Sequence, residues 1–139
     1  MDDPTSRHPR SLRVPRRPEA VAVARAAVDR LAEEMGFGDI DRASINLAVA
    51  EACNNAVLHG TRDPVTVRCQ RRGDAIEIEI ASMGAPFQPS VPASMPAATS
   101  ESGRGRALME GMMDTVEYID ESCGTRVRLR KRLPEPGGD

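Results

Sequence analysis

Val65-Thr66-Val67-Arg68-Cys69-Gln70 and Ala75-Ile76-Glu77-Ile78-Glu79-Ile80, connected through Arg72-Gly73-Asp74, form the stretch whose reading decides the fold. Apolar and polar residues alternate in both runs, so each run divides its side chains between two faces. Two such runs around a Gly-Asp turn predict an antiparallel hairpin with one face for a core and one for water. Upstream the period changes from two to between three and four. Ala20, Val21, Ala24, Ala27, Val28, Leu31 and Met35 predict a helix from Glu19 that Gly36 stops. A second helix is expected from about Asp41, a plausible N-cap, to His59, with Gly60 ending it. Downstream, residues 83 to about 102 carry Pro86, Pro89, Pro92 and Pro96 among Ser and Ala. They read as a long loop, a lid or an insert.

Beyond that loop, Gly103-Arg104-Gly105 is expected to open a third helix, carried by Ala107, Leu108, Met109, Met112 and Met113. A last hairpin pairs residues 116–120 with 126–133 across Ser122-Cys123-Gly124, placing Val127, Leu129 and Lys131 on one face and Arg126, Arg128 and Arg130 on the other. Strands with one apolar and one charged face, together with three amphipathic helices, predict a two-layer α/β sandwich with its helices on one face of the sheet. The charged face, with Glu77 and Glu79 beside the arginine row, is expected to be a solvated surface rather than a set of strong pairs.

With 139 residues the chain has room for one domain, here residues 19–133. Residues 1–18 hold Pro4, Pro9, Pro15 and Pro18 among five arginines and read as a flexible basic arm. Residues 134–139 read as a disordered tail. Two Phe, one Tyr and no Trp demand an aliphatic core and leave no aromatic platform for nucleic-acid bases. A net charge of −2 offers no field to recruit phosphate backbones or anionic lipid. No apolar run has the length of a membrane span and the N-terminus lacks a signal-like stretch, so a cytoplasmic location is expected. Cys53, Cys69 and Cys123 form no CxxC pair and histidine occurs only at 8 and 59, which argues against a structural zinc site. Lys131, the sole lysine, lies in neither a P-loop nor an early kinase strand, which excludes both families.

Three constellations carry chemistry. Glu51 and Asn55 stand one helical turn apart, and His59 extends the row. A polar row on so apolar a helix faces either water or a site, and spacing alone leaves both open. Ala48, Ala52 and Ala56 form a small-residue stripe that lets the helix lie close to the sheet. Ser82-Met83-Gly84-Ala85-Pro86 follows the isoleucine strand, where a small residue and a glycine allow a flat ligand near the backbone. Gly103-Arg104-Gly105-Arg106-Ala107-Leu108 reads as a glycine-rich helix start suited to an anion, with arginines adding charge.

In this order, Glu51-Ala52-Cys53-Asn54-Asn55-Ala56-Val57, the Ser82–Phe87 stretch, the segment Gly103 through Met109 and Gly124-Thr125-Arg126-Val127 resemble the successive boxes of the histidine-kinase-like (Bergerat) ATP-binding fold. The branch they most resemble is the free-standing anti-sigma factor serine/threonine kinases of bacteria, over residues 19–133. The resemblance implies a mixed, mostly antiparallel sheet, with ATP and Mg2+ as cofactors. It implies that Asn55 ligates the magnesium ion and that Glu51 is the general base toward a substrate serine or threonine hydroxyl. Gly103, Arg104, Gly105, Arg106, Ala107 and Leu108 would hold the phosphates, Gly84 and Ser82 the base, and Thr125 would stand near the adenine. Partners implied are a sigma factor, an anti-anti-sigma protein as phosphorylation substrate and a second copy of the chain.

One position departs from the family, which normally carries aspartate where this chain has Ser82. A neutral acceptor for the adenine amine is weaker than a charged one, and ATP affinity is expected to fall about two- to thirtyfold. The alternative is therefore a nucleotide-impaired module that sequesters a sigma factor or other regulator without kinase activity. A two-component histidine kinase fits less well, because neither His8 nor His59 lies on a dimerising hairpin as an exposed phosphoacceptor.

Overall fold

The computed structural model describes residues 9–84 and 96–135, with the side chains of 9–84 and 104–135. Its elements are β1 (Arg10–Val14), α1 (Ala20–Met35), α2 (Asp39–His59), β2 (Arg62–Arg72), β3 (Ala75–Met83), α3 (Pro96–Met112), β4 (Thr115–Glu121) and β5 (Gly124–Arg132). The five strands form one sheet in the order β1-β2-β3-β5-β4. Every pairing is antiparallel, so the parallel component implied by a mixed sheet is absent among the described strands. The predicted hairpins are both present, and in the central pairing Ile78 stands opposite Leu129 and Ile80 opposite Val127.

The core lies between the sheet and the helix layer and is almost wholly aliphatic. Ile76, Ile78, Ile80, Val65, Val67, Val127 and Leu129 supply it from the strands, and Val28, Leu31, Ile45, Val49 and Met109 from the helices. Cys53 and Cys69 are buried within it, and burial pushes both thiols up to about 11, whereas Cys123 is exposed in the β4–β5 turn. They act as small apolar side chains.

Gly36 stops α1 as expected, with φ 97° and its N–H bonded to the closing carbonyls of the helix. The second helix starts two residues before the expected N-cap: Gly38 flanks it, and Asp39 and Asp41 both lie in its first turn, where carboxylates complement the helix dipole. Lys131 points inward, and its Nζ donates to the Met112 carbonyl at 2.9 Å, closing the end of α3.

Three expectations are corrected. Residues 10–14 of the supposed arm form edge strand β1, with Val14 buried opposite Val65. Prolines outside the strand leave its N–H groups intact, an edge tolerates Pro15 beyond its end, and Arg10 pairs with Glu34 of α1. Residues 1–8, 85–95 and 136–139 lie outside the described residues, and with them the rest of the arm, most of the loop and most of the tail. The third helix begins at Pro96, so Gly103 and Gly105 are interior and do not open it. Proline is well suited to a first helical position, a start signal that the surrounding prolines obscured. The charged face, finally, is a paired network. Glu79 receives Arg128 Nε at 2.8 Å and Arg126 Nη1 at 3.2 Å, while the same arginines reach Glu117 at 3.5 Å and Glu121 at 3.1 Å.

Between α1 and α2, Arg42 grips Asp29 through two hydrogen bonds of 2.8 and 2.9 Å, and Asn46 adds a third contact. The Arg42 guanidinium holds the Asp29 carboxyl below the usual carboxylate range. A carboxyl depressed in the folded state stabilises above its unfolded pKa, and that stability is lost as pH falls through the folded value. Asp29→Asn is therefore expected to cost about 0.5–1 kcal/mol at pH 7 and nearly nothing near pH 2. Urea denaturation of both proteins at the two pH values checks this, and an unchanged difference at low pH would refute it.

Candidate nucleotide site

The site is built where α2 crosses the end of β3. Ala48, Ala52 and Ala56 are buried against the sheet, as their small-residue spacing predicts. This leaves Glu51 and Asn55, both half-buried, on the flank of α2, and Glu51 meets α3. A Cβ on Gly105 would stand 2.3 Å from Glu51 Oε2, so the carboxylate rests directly on the α3 backbone. Asn55 has no hydrogen-bond partner among the described residues, whereas His59, further along the row, is exposed. The row that spacing left undecided thus divides: Glu51 meets the α3 backbone, Asn55 is half-buried one turn further on, and His59 is exposed.

Ser82 and Thr125 are register partners on β3 and β5, on the face of the sheet that carries the helices. Ser82 Oγ donates to the Thr125 carbonyl at 3.5 Å, at the long limit of such a bond. Gly60, just past α2, meets Ser82: a Cβ there would lie 3.2 Å from Ser82 Cβ. Ser82 and Thr125 therefore stand at the C-terminal end of the helix that holds Asn55. Gly84 has φ 132°, and a Cβ on it would stand 2.1 Å from Thr61 Oγ1. The strand end thus needs glycine for its backbone conformation and for the approach of Thr61.

The phosphate segment is arranged differently from its sequence expectation. Gly103, Arg104, Gly105, Arg106, Ala107 and Leu108 all lie inside α3. Their amides belong to the internal ladder of the helix, so they present no cluster of free N–H groups to an anion. Arg104, Arg106, Ala107 and Leu108 are exposed. The Arg106 guanidinium sits 4.2 Å over the ring centre of Tyr118. Burial pushes the Tyr118 phenol up, and Arg106 opposes that rise. Two depressions of about 400 and 540 Å³ lie elsewhere, along the open face of the sheet and at its β2–β3 turn. In the first, Glu79 pairs with Arg126 and Arg128 and Glu77 with Arg72, and neither depression includes Glu51, Asn55 or Ser82.

Sequence reasoning missed Thr61, Tyr118 and Arg16. Arg16 Nη1 donates to the Val57 carbonyl in the last turn of α2 at 2.8 Å, beside Gly60. No local pattern marks any of the three, since each reaches the site only through chain reversal.

Measured against a magnesium nucleotide, the base and metal ends fit. A half-buried amide without a partner among the described residues suits a magnesium ligand, a hard oxygen donor alongside retained waters. A serine with unused lone pairs, beside a positive-φ glycine, suits a flat base. Residues 14–131 match the histidine kinase-like ATPase domain family. The chain belongs to that family of ATPase domains. It is similar to the serine-protein kinase RsbW of Bacillus velezensis, at 32% identity over 88% of this chain and 84% of that protein. It is also similar to RsbW of Oceanobacillus iheyensis, at 31% over 89% and 86%. Among solved structures, the RsbU and RsbW domains of Rv1364c from Mycobacterium tuberculosis share the fold with a TM-score of 0.71 at 22% identity, over 93% of this chain and 33% of that one. The histidine kinase domain of a blue-light activated kinase from Erythrobacter litoralis gives 0.53 at 18% identity, over 86% and 61%.

Gly84→Ala is expected to cost about 1–3 kcal/mol, through the strained φ and the collision with Thr61. Gly111→Ala, which meets open space in α3, should be neutral or stabilise by up to about 1 kcal/mol. Urea midpoints of the two variants check the pair, and equal effects would show that Gly84 is not held as described.

Proposed function

We propose that this protein is an ATP- and magnesium-binding anti-sigma factor with protein serine/threonine kinase activity, and that it phosphorylates an anti-anti-sigma protein. The observation that supports the reading is Glu51 against Gly105 of α3, with the half-buried Asn55 one turn along α2 and its amide without a partner among the described residues. Bound ATP and magnesium would supply the phosphoryl group and the charge neutralisation for its transfer. Asn55 would offer its amide oxygen to the metal. Glu51 would accept the proton of the substrate hydroxyl at a carboxylate oxygen as that hydroxyl attacks. Arg104 and Arg106, both exposed on α3, would offset charge on the terminal phosphate. Ser82, Gly84 and Thr125 would bound the base, and Gly103, Gly105, Ala107 and Leu108 the phosphate side.

A protein partner is supported by the outward side of α2. Ile40, Leu47 and Leu58 are exposed there, at separations of seven and eleven residues, about two and three turns, so they share one line on the helix. Such an apolar line suits association with another protein, for which we propose the sigma factor and its antagonist, with the chain acting as a homodimer in the cytoplasm. A second reading, a binding module without kinase activity, is favoured by one observation: residues 103–105 lie inside a helix and present no free amides.

Two measurements separate the readings. With labelled ATP, magnesium and a cognate anti-anti-sigma protein, Glu51→Gln should lower phosphorylation by at least about a hundredfold, the scale of general-base catalysis. Unchanged labelling would remove the base assignment. In calorimetry Asn55→Ala should abolish magnesium-dependent ATP binding while leaving the urea midpoint near wild type. Wild-type affinity in that variant would defeat the metal role, and no binding by the unmodified protein at millimolar ATP would favour the second reading.

A further inference from the structure

Arg16 lies in the connection between β1 and α1 and is fixed at two points. Its backbone N–H donates to Asp63 Oδ1 at 2.7 Å, and its Nη1 donates to the Val57 carbonyl at 2.8 Å. Between these anchors the side chain crosses Gly60. Arg16 Cδ lies 3.1 Å, and Ser82 Cβ 3.2 Å, from the point a Gly60 Cβ would occupy, so the two side chains meet over the same glycine. Arg16 Nε, one bond beyond that Cδ, is buried and has no hydrogen-bond partner among the described residues. The other two such atoms belong to residues engaged elsewhere: Asn46 donates its Nδ2 to Asp29 of α1, and Arg126 belongs to the open-face network.

A buried N–H without an acceptor carries an unrecovered desolvation cost, and an acceptor that reaches it as the side chain shifts recovers that cost. Ser82, whose Cβ meets the same glycine, directs its Oγ proton at the Thr125 carbonyl at 3.5 Å and keeps its lone pairs. The base end thus combines a neutral acceptor with a charged donor. The edge of adenine carries the complement, an exocyclic amine next to a ring nitrogen acceptor. A carboxylate at position 82 would instead pair with the neighbouring guanidinium and be drawn away from the base.

We propose that Arg16 is a base-recognition residue: its Nε–H donates to a ring nitrogen of the nucleotide base while Ser82 accepts from the exocyclic amine, so that the arginine offsets the absent carboxylate. The proposal rests on the nucleotide-binding reading above and adds the residue that makes Ser82 sufficient.

Calorimetric titration with MgATP and with ADP tests it on wild type, Arg16→Ala, Arg16→Lys, Ser82→Asp and the Arg16→Ala/Ser82→Asp double variant, each checked for folding by urea denaturation. Arg16→Ala should weaken both nucleotides by roughly 5–100-fold. Arg16→Lys keeps the charge and can still cap Val57 but lacks the Nε–H, so it should lose about as much, and it carries the test if Arg16→Ala does not fold. Ser82→Asp should give no gain beside Arg16, yet at least about a fivefold gain when Arg16 is alanine. Affinities within twofold of wild type in a folded Arg16 variant, or the same gain from Ser82→Asp with and without Arg16, would overturn the proposal alone. Absence of nucleotide binding by the wild type would overturn the nucleotide reading and this proposal together.

Discussion

The close seating of α2 on the isoleucine strand is the contact on which the rest of the molecule depends. Ala48, Ala52 and Ala56 present almost no side chain, and they are buried in one core with Ile76, Ile78 and Ile80. One helix then both closes the core and carries Glu51 and Asn55, the first against α3. Interiors are packed nearly as densely as organic crystals, so a larger residue in that stripe would lift the helix at a cost of about 1–3 kcal/mol. It would also carry the carboxylate away from α3. Stability and site geometry are coupled through three alanines.

Charge is organised around this apolar seat. On the open face, Glu79 gathers Arg126 and Arg128, which extend to Glu121 and Glu117 on β4 and tie the outer hairpin to the central strand. Each exposed pair contributes little, about 0–1 kcal/mol, but shared partners fix the orientation of long side chains. In the helix layer, Arg42 joins α1 to α2 through Asp29, and Lys131 closes α3 from beneath. Arginine predominates where two-pronged geometry matters, and the single lysine sits where one carbonyl needs one donor.

The N-terminal segment has a larger part than its composition suggests. β1 covers the free edge of β2, and the connection behind it delivers Arg16 to the junction of α2 and β3. That junction also receives Ser82, Gly60 and Val57. Three pieces of chain far apart in sequence, at residues 16, 57–60 and 82, meet there, and the segment read as an arm is one of them.

Alternation and helical spacing determined much by themselves: the two hairpins, the first two helices, the aliphatic core, and a row in which Glu51 and Asn55 project together. These properties are local, because backbone geometry alone assigns side chains to faces with periods of 2 and 3.6. The glycine-bearing boxes gave the family, which the match over residues 14–131 bears out. Only tertiary structure decided the pairing of Arg10–Val14 with β2, the ion pairs of Glu79, the burial of Gly105 against Glu51 and the course of Arg16 over Gly60. Each depends on which distant segment supplies a hydrogen-bond donor, an acceptor or free volume. A strand of five residues with two apolar side chains has no signal until its partner edge exists, and an arginine has no address until the carbonyls it can reach are in place.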